Sequence, residues 1–282
     1  IKLGIPFLTV SYDRLPGLAT RLQSRKATAT AVAYLPTKLQ NAILTGAPVR
    51  RALRTLDIAA NRAGARERLG LSAASKVIAV TGGSLGSAML NAVTRQLVED
   101  NSNREDLCVI HLTGERYIKD DLPQLIAGSK IKYQRLASTI AMEDLYAASD
   151  LIVSRAGAST IAELATVGCP SVLIPWKQSA ENHQFFNAKY VEEKGMGIIH
   201  EQKNGIENLK SVINLILSEK MKRNYLLLPR GPKLRIGALR FTSAFFKRYT
   251  ILAFCKSCVL ISILTISPTV ILIKCFLSFP EI

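Results

Sequence analysis

The sequence has few histidines and no regular arrangement of cysteines. Its three histidines, His111, His183 and His200, lack the spacing of metal ligands. The five cysteines form no repeated spacing, which argues against a disulfide-stabilised secreted domain and favours cytoplasmic thiols. One close pair, Cys255 and Cys258, has no second pair to complete a zinc or redox site. We therefore expect no metal site.

The sequence also lacks several familiar signals. It contains neither the GxGxxG dinucleotide fingerprint nor the GxxxxGK[ST] phosphate loop, and we set aside a hydrolase interpretation of Ser84. It begins without methionine and without the basic and apolar stretches of a signal peptide. The opening residues resemble the interior of a folded domain, so we expect the chain to be a piece of a longer protein.

Acidic residues are scarce in one region only. The net charge is +16, but from residue 220 onward the chain has eleven basic residues and one acidic residue, whereas the first 219 residues have 26 and 20. A nucleic-acid-binding domain places such charge on a folded surface. We predict no nucleic-acid partner, because the modest excess in the first 219 residues is typical of a domain that meets phosphates or a membrane surface.

Residues 229–282 differ from everything before them. Residues 230–248 are basic, and residues 251–277 are apolar and rich in β-branched side chains. The uncharged stretch 257–273 contains Pro268 and is slightly short of the ~20 residues that a membrane-spanning helix needs. A membrane anchor is one interpretation. We favour an altered end, such as a shifted reading frame, because the preceding domain needs no span.

Between these ends the pattern alternates strand and helix. Short β-branched or apolar runs predict strands at 4–10, 29–33, 76–81, 107–112, 131–135, 150–154, 171–174 and 197–200. Helices are predicted at 66–69, 87–100, 140–148, 160–167 and 182–194, the last two ending at Gly168 and Gly195. This alternation predicts an α/β fold with a parallel sheet, which binds ligands at the carboxyl ends of its strands. Proline and glycine near Gly46 predict a domain boundary there, followed by a domain at 47–228.

A glycine-rich turn follows the predicted strand 76–81. The residues Gly82-Gly83-Ser84-Leu85-Gly86 lead from that strand into a helix, where backbone N–H groups and the helix N-terminus hold phosphate in many proteins. A tight turn that needs positive φ explains the glycines equally well. We keep both interpretations at this point.

Two further segments follow the next strands of the predicted sheet. Residues 155–163 repeat the order of strand, small-residue turn and helix, with Glu163 expected in the first helical turn, either as a capping acid or as an acceptor for ribose hydroxyls. Residues 175–188 place polar side chains at a helix start. Gln184 and Asn187 offer donors and acceptors for sugar hydroxyls, and His183 for sugar or phosphate. The structural alternative is that these residues only begin a surface helix and that the histidine forms its hydrogen bonds within the protein.

Taken in order, five segments resemble the MurG family of UDP-N-acetylglucosamine transferases of peptidoglycan synthesis. The segments are Gly46-Ala47-Pro48-Val49-Arg50, Gly82 to Gly86, Arg155 to Glu163, Gly168-Cys169-Pro170 and His183 to Ala188. The resemblance covers residues 4–228. It implies a two-domain GT-B glycosyltransferase fold, with a remnant of the acceptor-binding N-terminal domain at 1–46 and a Rossmann-like C-terminal domain.

The resemblance also implies ligands and contacts. The donor is UDP-N-acetylglucosamine and the acceptor is lipid I, the undecaprenyl-linked muramyl-pentapeptide; no metal or cofactor is required, and the protein acts peripherally at the cytoplasmic face of the bacterial membrane. By motif position the contacts expected at the diphosphate are Arg50 and Ser84 with Gly82, Gly83 and Gly86, and those expected at the uridine are Ala158, Ser159, Thr160, Ile161, Ala162 and Glu163, with Glu163 on the ribose. Gln184 is expected to contact the N-acetylglucosamine. His183 and Asn187 belong to the same motif, and Asp13 stands where an asparagine of the family contacts the donor. No residue is implied as the general base.

Departures from the family pattern keep rival hypotheses open. Where many members read His-Glu-Gln-Asn, this chain reads Val10-Ser11-Tyr12-Asp13, and the family's glycine-rich N-terminal loop with its proposed catalytic histidine is absent from the sequence. A related UDP-sugar transferase acting on another lipid is one alternative. A nucleotide-sugar-binding or membrane-attached protein without catalysis is the other.

Overall fold

A computed structural model describes residues 6–120, 123, 125 and 127–217, together with the backbone of three strands nearer the end. Contacts divide the chain into two units, Ile1–Pro48 with Arg235–Ile282, and Val49–Leu234. The six-stranded sheet of the second unit carries the turns predicted to bind a ligand.

Strands and helices alternate between residues 76 and 217, as the sequence predicts. The strands are β1 (Phe7–Ser11), β2 (Ala29–Val32), β3 (Ala42–Leu44), β4 (Lys76–Thr81), β5 (Leu107–Leu112), β6 (Lys132–Leu136), β7 (Leu151–Ser154), β8 (Ser171–Leu173), β9 (Ile198–Ile199), β10 (Leu252–Ala253), β11 (Ile261–Ser267) and β12 (Val270–Cys275). The α-helices are α1 (Leu18–Ser24), α2 (Arg51–Arg54), α3 (Ile58–Arg68), α4 (Ala88–Asp100), α5 (Met142–Ala148), α6 (Ala158–Val167), α7 (His183–Glu193) and α8 (Gly205–Leu217).

The first unit contains a parallel sheet of order β10-β1-β2-β3. Strand β3 was not predicted, because its three apolar residues are fewer than the roughly four to eight that make a strand recognisable in a sequence. In the apolar segment near the end, β11 and β12 form an antiparallel pair. Among the described residues no helix has the length and apolar character to cross a membrane.

The second unit is built on a parallel sheet of order β6-β5-β4-β7-β8-β9. Alternate side chains of β4 enter two different cores, because successive residues of a strand point to opposite faces. Val77 and Ala79 pack with residues of α3, α5, α6 and α7, whereas Ile78 and Val80 pack with residues of α4 and α8. The sheet is thus covered on both faces, as a parallel sheet requires.

Helix ends follow local signals that the sequence displays. Gly168 ends α6 in the left-handed conformation, φ 71°, and Gly195 follows α7 with φ 67°, as predicted. Helix α3 begins far before the predicted residue 66, because the Asp57 carboxylate caps it by accepting from the N–H groups of Ala59 and Ala60. Helix α8 was missed, although its buried residues Leu209, Ile213, Ile216 and Leu217 recur with helical spacing.

One buried carboxylate joins α3 to the sheet. Asp150, directly before β7, accepts from Arg62 Nη1 at 2.7 Å through one oxygen. Its other oxygen accepts from Arg66 Nη2 at 2.9 Å and from the Val77 N–H at 2.9 Å. Both Asp150 and Arg66 are buried, so each ion depends on the other for compensation.

We expect Asp150→Asn to lower the free energy of unfolding by about 3 kcal/mol, because it leaves the buried Arg66 charge uncompensated. Urea denaturation of the two proteins measures the difference. Asp106→Asn is the matched control: Asp106 also pairs with an arginine, Arg104, but its side chain is 48% exposed, and a loss under about 1 kcal/mol is expected. Equal losses of unfolding free energy in both variants would contradict the conclusion that Asp150 compensates a buried charge.

Candidate functional site

Three segments leave the sheet side by side at the carboxyl ends of neighbouring strands. In the strand register Thr81 of β4 lies opposite Ser154 of β7, and Ser154 lies opposite Leu173 of β8. The residues that follow, 82–87, 155–163 and 174–187, therefore start at one level. We call these three segments the carboxyl edge; in parallel α/β sheets this is where ligands bind.

Each glycine of the first turn has a structural reason. Gly83 and Gly86 have φ of 85° and 72°, which favours glycine. A Cβ on Gly82 would lie 2.5 Å from the Ser87 nitrogen, and a Cβ on Gly86 would overlap the Thr113 carbonyl oxygen. The tight-turn interpretation is therefore sufficient for the glycines, and a role in binding has to rest on the other groups of the turn.

The turn presents unused hydrogen-bond donors to solvent. Ser84 is exposed, and within the described part of the chain its hydroxyl and the N–H groups of Ser84 and Leu85 bond to no protein acceptor. Helix α4 begins immediately afterwards, with Ser87 as its N-cap: the Ser87 Oγ accepts from the Leu90 N–H at 3.4 Å. Free N–H groups beside a helix N-terminus form a site for an anion.

The letters of residues 82–86 also fit the GxSxG pattern of hydrolases, but the surroundings of Ser84 do not. A serine nucleophile needs a histidine within hydrogen-bonding reach. His111 bonds to Asn91 and Tyr133, and His183 Nδ1 bonds to the Ala180 carbonyl oxygen. In the residues described, no histidine bonds to Ser84, so the hydrolase interpretation has no support.

Arg155 lies behind the first turn and links the segments of the carboxyl edge. Its Nε and Nη2 donate to Ser87 Oγ at 3.2 and 2.9 Å, and its Nη1 donates to the carbonyl oxygen of Ile174 at 3.1 Å. The residue is 9% exposed, and no carboxylate among the described residues lies within ion-pair distance. Burial lowers the pKa of Arg155. The sequence gives no signal for this role, because the bonded partners of Arg155 lie 68 and 19 positions away along the chain.

Glu163 is held by two side chains rather than by a helix end. Helix α6 begins at Ala158, so Glu163 lies beyond the first turn and the capping interpretation is wrong. Its Oε1 accepts from Arg50 Nε and Nη2 at 3.2 and 2.9 Å, and its Oε2 accepts from the Tyr146 hydroxyl at 3.0 Å. Burial, followed by the charge of Glu163, raises the pKa of Tyr146 well above its usual value, so Tyr146 remains a donor.

The segment expected to face a uridine is divided by burial. Ala158, Ile161 and Ala162 have buried side chains. Ser159 is exposed and Thr160 is half-buried. Side-chain contacts to a ligand from this segment are therefore open to Ser159, Thr160 and Glu163 only.

The third segment uses much of its polar capacity within the protein. His183 is the first residue of α7, and its Nδ1 donates to the Ala180 carbonyl oxygen at 2.8 Å, as the structural alternative predicts. Asn187 is completely buried and donates to the Ala156 carbonyl oxygen at 3.2 Å, bracing the second turn. Gln184 is half-buried, and its Oε1 accepts from the backbone N–H of Trp176 at 3.0 Å.

A buried network fixes the start of α4 to β5. His111 Nε2 lies 2.9 Å from Asn91 Oδ1, and its Nδ1 lies 2.9 Å from the Tyr133 hydroxyl. Because Asn91 Nδ2 donates to the Thr113 carbonyl oxygen, Oδ1 is the acceptor and the histidine proton is on Nε2. Burial, followed by the charges of Arg135 and Arg95, lowers the pKa of His111 to about 4. A neutral histidine thus joins the helix to the sheet.

Two sequence predictions concern other parts of the chain. Asp13 lies in the first unit, in the bend after β1. Cys255 and Cys258 lie outside the described residues. Within the described ranges no cluster of His, Cys, Asp and Glu has the arrangement to hold a metal ion.

Comparison with protein families identifies the second unit. Residues 77–226 match the model of the glycosyltransferase family 28 C-terminal domain, which is over half of the 282 residues. The chain belongs to glycosyltransferase family 28. The matched residues include the first turn, Arg155, Glu163 and the third segment of the carboxyl edge.

Curated members of the family are similar over most of this chain. Two proteins named UDP-N-acetylglucosamine--N-acetylmuramyl-(pentapeptide) pyrophosphoryl-undecaprenol N-acetylglucosamine transferase illustrate this. The one from Streptomyces coelicolor is 36% identical over 199 residues, 70% of this chain and 53% of that protein. The one from Opitutus terrae is 32% identical over 232 residues, 79% of this chain and 59% of that protein. This family 28 chain thus spans little more than half the length of these relatives.

A solved structure agrees with the family assignment. MurG from Acinetobacter baumannii superposes with a TM-score of 0.59 at 25% identity, covering 83% of this chain and 63% of that one. The family 28 chain therefore has the GT-B glycosyltransferase fold, with a Rossmann-like parallel sheet in its second unit, as the resemblance implied.

The glycines of the first turn permit a graded test. We expect Gly86→Ala to cost several times the ~1–2 kcal/mol of an ordinary left-handed alanine, because its Cβ would overlap the Thr113 carbonyl oxygen. Gly83→Ala is the control: it has positive φ, but no atom lies within 4 Å of the place that its Cβ would take, so only the ~1–2 kcal/mol conformational cost applies. Urea unfolding measures both, and a larger loss at Gly83 would refute this packing.

Proposed function

We propose that this chain binds UDP-N-acetylglucosamine at the carboxyl edge, as the donor-binding part of an enzyme that transfers N-acetylglucosamine to the undecaprenyl-linked muramyl-pentapeptide lipid I. One observation carries the proposal: in a family 28 domain, the neighbouring strands β4 and β7 end in a turn with free N–H groups and in the helix that bears Glu163. The names of the curated relatives give the same donor, acceptor and transferred sugar.

In this proposal the first turn holds the diphosphate. The N–H groups of Ser84 and Leu85, the Ser84 hydroxyl and the N-terminus of α4 supply donors and a positive dipole end. Arg50 has a side chain that is 48% exposed and adds a positive charge. These groups stabilise the charge that develops on the departing UDP, which is transition-state stabilisation by preorganised donors.

The other two segments hold the nucleoside and the sugar. Glu163 accepts hydrogen bonds from the ribose, while Ser159 and Thr160 with the backbone of residues 158–162 line the uridine. Gln184 bonds to N-acetylglucosamine. His183 and Asn187 position this segment through their bonds to Ala180 and Ala156.

The reaction that follows is an inverting hexosyl transfer. The 4-hydroxyl of the muramyl sugar attacks the anomeric carbon, a new glycosidic bond forms, and the bond to the UDP oxygen breaks. The proton of the hydroxyl passes to a base that we do not assign to a residue of this chain. Because the acceptor is lipid-linked, the enzyme acts peripherally at the cytoplasmic face of the cell membrane.

Titration calorimetry of the 282-residue chain with UDP-N-acetylglucosamine and UDP-galactose tests the donor assignment. We expect the first to bind at least about tenfold more tightly, since a polar site built for one sugar leaves groups unpaired with the other. Preference for UDP-galactose would favour a transferase for another lipid. An assay for lipid II, which is lipid I that carries the transferred N-acetylglucosamine, distinguishes a catalytic chain from one that only binds the donor.

The role of Glu163 is tested by changing the protein and the ribose together. If the carboxylate accepts from the ribose, we expect 2′-deoxy-UDP to bind wild-type protein about tenfold more weakly than UDP, and Glu163→Ala to remove that difference. The ratio of the two affinities cancels any effect of releasing Arg50 from its ion pair. Asp106→Asn, which alters an arginine-paired carboxylate before β5, should retain the ratio. An unchanged ratio in Glu163→Ala would rule out the ribose contact.

A further inference from the structure

Trp176 occupies the third segment of the carboxyl edge. It follows β8 after Ile174 and Pro175, and it is the single tryptophan of the chain. The strand that precedes it neighbours β7, and β7 neighbours β4, so Trp176 lies in the same row of strand ends as the first two turns. Nothing in the proposed diphosphate or ribose contacts uses it.

Two hydrogen bonds fix this tryptophan in place. Its backbone N–H donates to Gln184 Oε1 at 3.0 Å, and its indole Nε1 donates to Gln178 Oε1 at 3.1 Å. Both N–H donors of Trp176 are therefore satisfied within the third segment, and the bond to Gln178 fixes the orientation of the indole. What remains unused is the apolar face of the ring.

Nearly half of the residue is exposed to solvent. Trp176 is 46% exposed, although large aromatic side chains gain most free energy when they are buried. The ring and cation contacts found among the described residues involve other side chains, so no aromatic ring or charged group of that part of the chain covers the indole. An indole that is held by two hydrogen bonds and is 46% exposed offers apolar ring surface to a ligand.

The side chain that holds the Trp176 backbone also carries a hydrogen-bond donor with a fixed direction. Because Gln184 Oε1 accepts from the Trp176 N–H, the amide cannot be flipped without losing that bond, and its Nε2 is directed elsewhere. Within the described residues Nε2 donates to no protein acceptor. The pair thus combines an aromatic platform with one oriented donor, the usual composition of a small-molecule subsite.

The chemistry that fits this pair is a hexose. One face of a pyranose ring presents C–H groups, which are apolar and slightly positive, whereas the face of an indole is negative. The hydroxyl oxygens at the rim of the sugar accept hydrogen bonds, which suits the Gln184 amide. A uracil ring would also stack, but the nucleoside is assigned to the segment that follows β7.

We propose that Trp176 determines specificity for the sugar by stacking its indole face on the hexose ring of the sugar nucleotide, while Gln184 Nε2 donates to a sugar oxygen. This inference rests on the donor site proposed above and adds the platform that distinguishes a sugar nucleotide from a free nucleotide. It also gives Gln184 a second task, since the same amide holds Trp176 in place.

The single tryptophan makes the proposal directly measurable in the 282-residue chain. Titration with UDP-N-acetylglucosamine should quench or shift the tryptophan emission with the same affinity that calorimetry gives, and UDP at saturation should change it little. An equal change with UDP would place the uracil or a general rearrangement at the indole and overturn the proposal. No change with bound UDP-N-acetylglucosamine would also overturn it, as would an emission shift caused by phospholipid vesicles alone.

Variants separate stacking from simple binding. We expect Trp176→Ala to weaken UDP-N-acetylglucosamine about five- to tenfold while UDP affinity stays within about twofold, and Trp176→Phe to retain most of the sugar preference. Phe186→Ala is the control, because Phe186 is similarly exposed at 40% but packs edge-on against Phe185; it should leave both affinities unchanged. Equal losses for UDP and UDP-N-acetylglucosamine in Trp176→Ala would overturn stacking on the sugar alone. Failure of wild-type protein to bind either ligand would overturn the proposed function as well.

Discussion

The carboxyl edge depends on the buried guanidinium of Arg155. It bonds to the Ser87 hydroxyl that caps α4 and to the carbonyl oxygen from which the third segment starts, so the position of each segment is set by the same planar group. Burial without a carboxylate partner in the described residues makes this charge costly. Hydroxyl and carbonyl dipoles offset part of the cost, and any anion held near Ser87 lowers it further.

The rest of the second unit keeps this edge rigid. Two separate cores cover the faces of the sheet, and the Asp150 ion pairs secure α3 against β4 from the opposite end of the strands. The neutral His111 holds α4 against β5 through its bond to Asn91. Stability is therefore concentrated in the sheet and its helices, which leaves the exposed turns free to present unused donors, as binding loops on a rigid scaffold do.

Local signals in the sequence were sufficient for most elements of the second unit. Continuous β-branched runs predicted β4 and β5, and Gly168 predicted the end of α6, because such signals act over a few residues. The partners of Glu163 could not be found this way: Arg50 lies 113 positions away, and Tyr146 becomes a partner only because α5 and α6 cover the same face. Arg155 was missed for the same reason, since its bonds connect different strand ends. Trp176 bonds within its own segment and was missed because a lone tryptophan forms no pattern that predicts a role.

The ion pair between Arg50 and Glu163 joins two opposite charges within the second unit. The Arg50 side chain is 48% exposed, whereas the carboxylate that it holds is only 12% exposed. In the donor site that we propose, recruiting Arg50 to a phosphate would exchange one anion for another and would free an acceptor on Glu163 in the same step. Binding of the diphosphate and release of the acceptor for a ribose hydroxyl would then be one coupled event, so the two parts of the nucleotide would be recognised together.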